Sequence, residues 1–152
     1  MTAIADKPDG LTLMRQLAAR TGGGSGGSGM GALMAMEGGS AEPGLMTMHA
    51  RPGAQHGNPI GITHGGFAAT LLDSAMSCAV HTTLGPDETY VTTDLHVSFV
   101  RAITPATGRV TARGEVVSRE RRLATARGTL VDEQGKLLAS GIATCMIMAA
   151  GQ

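Results

Sequence analysis

From Phe67 to Val80 the chain reads Phe-Ala-Ala-Thr-Leu-Leu-Asp-Ser-Ala-Met-Ser-Cys-Ala-Val, with Asp73 as the only charge. At helical spacing this segment is apolar nearly all round, so it demands burial on every side. A lone ionisable group inside such a helix is costly unless it is paired or used. Thr63 stands where an N-cap would, and Gly65-Gly66 leave backbone N–H groups open to a ligand. A helix start of that kind polarises an incoming anion or carbonyl oxygen, and a poorly hydrated carboxylate further along can attack or direct water. Gly85-Pro86 ends the segment.

What surrounds this helix is mostly strand. Leu45–Ala50, Val91–Val100, Val110–Val117, Leu123–Val131 and Leu137–Met148 are apolar or β-branched, and Gly31–Met36 is predicted as a further short strand before a Gly38–Gly44 turn. In Val91–Val100, Leu95, Val97 and Phe99 share one face and Asp94, His96 and Ser98 the other. The joints Thr104–Gly108, Ser118–Arg121 and Asp132–Gly135 are hairpin-length, which predicts a four-stranded antiparallel meander. An all-apolar helix beside one sheet has a single place to hide, its concave face; the expected class is α+β, a sheet wrapped round one long helix.

The N-terminal part is organised differently. Leu11–Arg20 predicts a short helix capped by Asp9 and docked through Leu13, Met14 and Leu17. The Gly22–Gly29 run is low-complexity Gly/Ser linker; it contains a GxGxxG, but a helix precedes it where a dinucleotide loop needs a strand. The expected division is therefore residues 1–29 as leader, helix and linker, and 30–152 as the domain.

Composition removes several function classes. Lys+Arg and Asp+Glu number 12 each among 152 residues, which argues against nucleic acid or an anionic membrane as partner. With two Phe, one Tyr and no Trp, base-stacking platforms are missing and Met, Ala, Val and Leu must fill the core. Cys78 and Cys145 sit in apolar segments, as free thiols of a reducing compartment do; no signal-like or membrane-length apolar run accompanies them, and a cytoplasmic protein is expected. His49, His56, His81 and His96 have no metal-ligand spacing, so neither metal nor cofactor is expected.

Two strands, a buried helix opened by His64-Gly65-Gly66 with Asp73 nearby, and then four strands: this order resembles the hot-dog-fold thioesterases, in particular the phenylacetic-acid-degradation type acyl-CoA thioesterases related to 4-hydroxybenzoyl-CoA thioesterase. The likeness spans about residues 30 to 149, with a weaker echo in Asp9–Arg20. Its most specific parts are Asn58-Pro59-Ile60-Gly61-Ile62-Thr63-His64-Gly65-Gly66 and Leu72-Asp73. Leu95–Arg101 and Asp132–Ala139 also fit, whereas the Gly/Ser run departs from the pattern.

The resemblance implies roles. Asp73 matches the catalytic carboxylate, as nucleophile or general base, and Asn58 the amide that positions nucleophile or thioester. Gly65 matches the N–H that polarises the thioester carbonyl, and Ser77 a hydroxyl holding water or the carboxylate. His64 either contacts the thioester environment or shapes the start of the helix. Arg101, Arg121 and Arg122 are candidates for coenzyme A phosphates, for which the guanidinium fork is suited, or are plain surface charge. A non-catalytic acyl-CoA-binding domain is the alternative, and it has no use for Asp73.

Geometry adds one expectation. Gly65 and Asp73 lie eight residues apart, roughly 12 Å along one helix at ~1.5 Å per residue. One carbonyl cannot touch both at ~3 Å. Gly65 of one chain should thus work with Asp73 of another, in a two-fold homodimer with composite sites, itself expected to pair into a homotetramer.

Overall fold

The computed structural model describes residues 7–19 and 29–151. Residues 22–28 of the Gly/Ser run lie outside the described residues. Helix α1 spans Gly10–Ala18, a one-turn helix α2 Met30–Leu33, and the long helix α3 Gly65–His81. The strands are β1 Met36–Glu42, β2 Leu45–Ala50, β3 Glu88–Phe99, β4 Val110–Arg119, β5 Leu123–Val131 and β6 Leu137–Ala149. They form one antiparallel sheet in the order β1-β2-β4-β5-β6-β3. No described helix is long and apolar enough to cross a membrane.

Helix α3 lies in the concave face of this sheet, as its composition requires. Phe67, Ala68, Leu71, Leu72, Ala75, Met76, Ala79 and Val80 are all buried. The strands beneath it meet the helix with small side chains: Ala112, Ala124, Ala126, Ala139 and Ala143 are buried. Gly114, Gly128 and Gly141 are paired in register across three strands. A Cβ on Gly114 would stand 2.2 Å from the Ala75 carbonyl oxygen, and one on Gly128 would stand 2.9 Å from the Met76 side chain. This glycine row lets the helix backbone rest directly on the sheet. With few aromatics available, Met46, Met48 and Met76 fill the remaining core, a use to which an unbranched, adaptable side chain is suited.

Several local expectations are corrected. Gly31–Met36 is not a strand: α2 takes Gly31–Leu33, Met34 and Ala35 turn, and β1 starts at Met36. The Gly38-Gly39 pair serves a bulge rather than a turn, because a Cβ on Gly39 would lie 1.9 Å from the Thr47 carbonyl oxygen. The turn falls at Pro43-Gly44, where Gly44 takes φ 73°. The four C-terminal strands are not a sequential meander. β4-β5-β6 are, but β3 pairs with β6 along its length and forms the far edge, so Thr104–Gly108 belongs to a crossing connection rather than a hairpin. The side of β4 that a hairpin would have used is taken by β2.

In α1 the Asp9 cap holds, accepting from the Thr12 N–H at 2.8 Å. The buried stripe, however, is Gly10, Met14 and Ala18, while Leu13 and Leu17 are 36% and 39% exposed. Gly10 sits against the end of α3, its N–H donating to the Leu84 carbonyl, and a stripe spaced by four residues follows from that contact. α1 also lies against β1, where Arg15 donates to the Ala41 carbonyl.

The two sheet edges are therefore unlike. β1 is short, bulged and covered, whereas β3 runs for 12 residues with its outer edge unpaired among the described residues. β3 also carries a bulge between Thr92 and Asp94. The extra residue switches the alternation, so that Tyr90 and Thr92 before it, and Leu95, Val97 and Phe99 after it, all face the helix side.

Candidate active site

The loop before α3 folds back on itself. Gly57 bridges Thr63, and the Asn58 N–H donates to the Ile62 carbonyl at 2.8 Å. Asn58 Oδ1 accepts from the Ile60 and Ile62 N–H groups, both at 3.2 Å, so the side-chain amide NH₂ is left to face outward partners. The N-cap is His64, not Thr63: His64 Nδ1 accepts from the Gly66 N–H at 2.8 Å. Thr63 instead uses its backbone N–H to tie the loop to the Ile103 carbonyl. That acceptor role places the proton of neutral His64 on Nε2.

With Gly66 bonded to the His64 ring and Phe67 to the His64 carbonyl, the Gly65 N–H makes no hydrogen bond among the described residues. It lines a cleft of about 270 Å³, together with Asn58, Thr63, His64, Phe99 and Arg101. The Phe99 ring closes over Gly65: its Cζ would be 3.1 Å from a Cβ there. A free N–H at the start of a helix, inside a cleft half walled by apolar groups, is fitted to hold a carbonyl oxygen that gains negative charge.

Asp73 is elsewhere. Two turns along α3 it is half-buried and accepts a 2.9 Å hydrogen bond from the Thr92 hydroxyl on β3. Around it lie Ser77, Cys78, Tyr90 and Cys145. Ser77 is buried and donates back to the Ser74 carbonyl at 3.4 Å. The Thr92 hydroxyl also sits 4.0 Å from the Cys145 sulfur. Burial pushes the Cys78 thiol up to about 11 and the Tyr90 phenol up to about 12, so both stay protonated and uncharged near neutral pH.

Arg101 lies in the cleft and donates to the Leu137 carbonyl at 2.7 Å. Arg121 and Arg122 line a second, open hollow of about 440 Å³ with Asp87, Glu88 and Met146–Ala149. The two groups occupy opposite ends of β3, on the order of 30 Å apart at ~3.3 Å per residue. Within one chain, then, Asn58, His64, Gly65 and Arg101 come together, and Asp73 with Ser77, and Arg121 with Arg122, stand apart from them.

Comparison with known proteins adds to this geometry. The model of the thioesterase superfamily matches residues 60–139, more than half of the chain, from Ile60 in the loop through α3, β3, β4 and β5 to the start of β6. The chain belongs to the thioesterase superfamily. Its fold is the hot-dog fold, and its activity class is thioester hydrolysis. Among solved structures, this thioesterase is similar to zebrafish thioesterase superfamily member 2, with 26% identity and TM-score 0.69 over 90% of this chain and 94% of that one. It is similar to a phenylacetic acid degradation-related protein of Ralstonia eutropha, with 29% identity and TM-score 0.63 over 68% and 76% of the two chains. A Bacillus halodurans protein solved with CoA is 25% identical, with TM-score 0.64 over 68% and 67%. No curated protein matches the chain.

Two residues of the candidate site escape a reading of the sequence. Thr92, which holds Asp73, is one threonine among several in a strand, and only the bulge beside it turns it toward α3. Phe99 reads as a core residue yet is 60% exposed over Gly65.

Partly buried titrating groups set a pH window for stability. Desolvation lowers His49 and His81, and hydrogen bonding from the Gly85 N–H, assisted by Arg119, lowers Glu88. For each, the unfolded chain binds the proton more readily, so stability is lost as pH falls below about 6.5 for the histidines and further below the usual carboxylate range for Glu88. Cys78 and Tyr90 are raised, so the unfolded chain loses their protons first and stability falls as pH rises above about 9. Thermal unfolding across pH should give a Tm plateau between about 7 and 9, declining on both sides. A Tm that keeps rising above pH 9 would contradict the assignment of Cys78 and Tyr90 as buried and neutral.

Proposed function

We propose that this thioesterase hydrolyses the thioester of an aryl- or medium-chain acyl-CoA at a site shared by two copies of the chain. One observation carries this reading: the free Gly65 N–H and the Asp73 carboxylate lie at different levels of β3, one under Phe99 and the other beside Thr92. A two-fold pairing of two β3 edges brings these levels together. If Phe99 of one copy lies opposite Thr92 of the other, the axis falls between Leu95 and His96, and each Asp73 faces the other copy's Gly65. The same register puts Arg101 opposite Tyr90 of the second copy, next to that copy's Arg121 and Arg122. The three arginines, split within one chain, then converge on one nucleotide end. The long unpaired β3 edge, with Val91, Leu95 and Phe99 exposed beside it, suits such pairing, while the covered β1 edge does not.

In this site Gly65 N–H holds the thioester oxygen and the Asn58 amide positions the reacting groups. Asp73 attacks the carbonyl carbon or takes a proton from the water that does. On the first route C–S cleavage leaves an acyl–Asp73 anhydride that water then hydrolyses. On the second the water oxygen adds to the carbon and the C–S bond breaks as the carbonyl re-forms. On either route the water supplies the oxygen of the free acid and a proton for the CoA thiolate. A cytoplasmic location and a dimer of dimers accord with this reading.

Release of free thiol from a panel of aryl and aliphatic acyl-CoAs tests the function. Turnover of at least one of them is expected, with Arg121→Ala raising KM for the acyl-CoA while hydrolysis of the matching acyl-pantetheine is unchanged. No thiol release from any of the panel would refute the reading. Equal losses on both substrates would remove Arg121 from the nucleotide end.

A further inference from the structure

Thr63 is one of only four buried polar residues among those described, at 6% exposure, and its hydroxyl oxygen has no hydrogen-bond partner. A buried hydroxyl without a partner costs on the order of 1–3 kcal/mol, so it calls for an explanation. Fold stability does not supply one. The N-cap position that would have used the oxygen is filled by the His64 ring. Valine would match the shape and fill the same space without the polar atom. Neither is the residue loosely placed, since its backbone is pinned by the bond to Ile103 and by the bridge to Gly57.

Thr63 borders the cleft two residues before Gly65. We propose that the Thr63 hydroxyl is a second hydrogen-bond donor to the thioester carbonyl oxygen, acting beside the Gly65 N–H. The oxygen sees no solvent in the unliganded rotamer; donation to a bound carbonyl calls for one staggered step about χ1. As the carbonyl carbon is attacked, the π electrons move to oxygen and both donors strengthen their bonds to it. When the carbonyl re-forms and the C–S bond breaks, those bonds weaken again, and the threonine keeps its proton throughout. A donor of this kind acts on the transition state more than on the bound substrate. The proposal rests on the thioesterase reading above and adds a residue to its oxyanion site.

Steady-state kinetics of Thr63→Val and Thr63→Ser, on the acyl-CoA the wild type hydrolyses fastest, test it alongside thermal unfolding. Thr63→Val should lose about 10²- to 10³-fold in kcat with KM within twofold, as expected for loss of one oxyanion donor. Its Tm should equal or exceed that of the wild type, a result no structural role for the hydroxyl produces. Thr63→Ser should retain kcat within about threefold. Should Thr63→Val not fold, Thr63→Cys, of like size and with a poor donor, carries the same comparison. A valine (or cysteine) variant with wild-type kcat overturns the proposal and leaves the thioesterase reading intact, as does a serine variant that loses as much. A wild type that releases no thiol from any acyl-CoA overturns both.

Discussion

Asp73→Asn should lower kcat by about 10² to 10⁴ while KM for acyl-CoA hardly moves, the signature of a group used as base or nucleophile rather than for binding. Asparagine is the informative replacement. It keeps the size of the side chain and an oxygen able to accept the 2.9 Å bond from Thr92, so the helix and the β3 bulge should stay as they are. Asp73→Ala should lose as much or more. Measured side by side at fixed enzyme concentration and pH, near-normal turnover in both variants would remove Asp73 from the chemistry.

Gly114→Ala should be the most destabilising glycine-to-alanine change in the row Gly114, Gly128 and Gly141 beneath α3. Its Cβ would meet Ala75 backbone atoms at 2.2 and 2.3 Å, and a helix backbone cannot move aside as the end of a side chain can. The upper end of overpacking costs, about 3 kcal/mol, is expected, which for a domain of this size lowers Tm by about 6 to 12 °C. Gly31→Ala is the control. Its added Cβ meets only the Met36 sulfur at 3.9 Å, so Tm should hold or rise slightly as the unfolded chain loses freedom. Similar Tm values for both variants would mean that α3 does not rest on the glycine row.

Much of this was legible in the chain because burial leaves a strong mark. A 17-residue helix with a single acidic residue can only be central, and the small residues of β4, β5 and β6 are the other half of the same contact. What misled was local chemistry with two uses. Gly38-Gly39 serves a bulge as well as a turn, and Thr104–Gly108 is short enough for a hairpin yet leads across the end of the sheet, because strand order depends on pairing partners that spacing does not reveal. Thr63 has the side chain of an N-cap, but the histidine after it reaches the same N–H first. In the site, Asn58, His64 and Gly65 could be grouped from their adjacency, whereas the hold of Thr92 on Asp73, 19 positions away, depends on the one bulged residue that follows Thr92. The arginines were visible as charges, but not that the chain separates them.

Mixing two inactive variants addresses the shared site directly. Asp73→Ala damages the carboxylate, and Asn58→Ala removes the amide and its bonds to the Ile60 and Ile62 N–H groups from the loop before Gly65. Each variant alone forms dimers with two damaged sites. If each site takes its loop from one copy and its carboxylate from the other, a mixed dimer holds one site with both lesions and one with neither. After co-refolding of equal amounts, about half the dimers are mixed, so roughly a quarter of all sites are intact. Thiol release should return to about a quarter of the wild-type rate, far above either parent. Mixed dimers verified by mass that remain as inactive as the parents would contradict the account, placing Asn58 and Asp73 in one chain's own site.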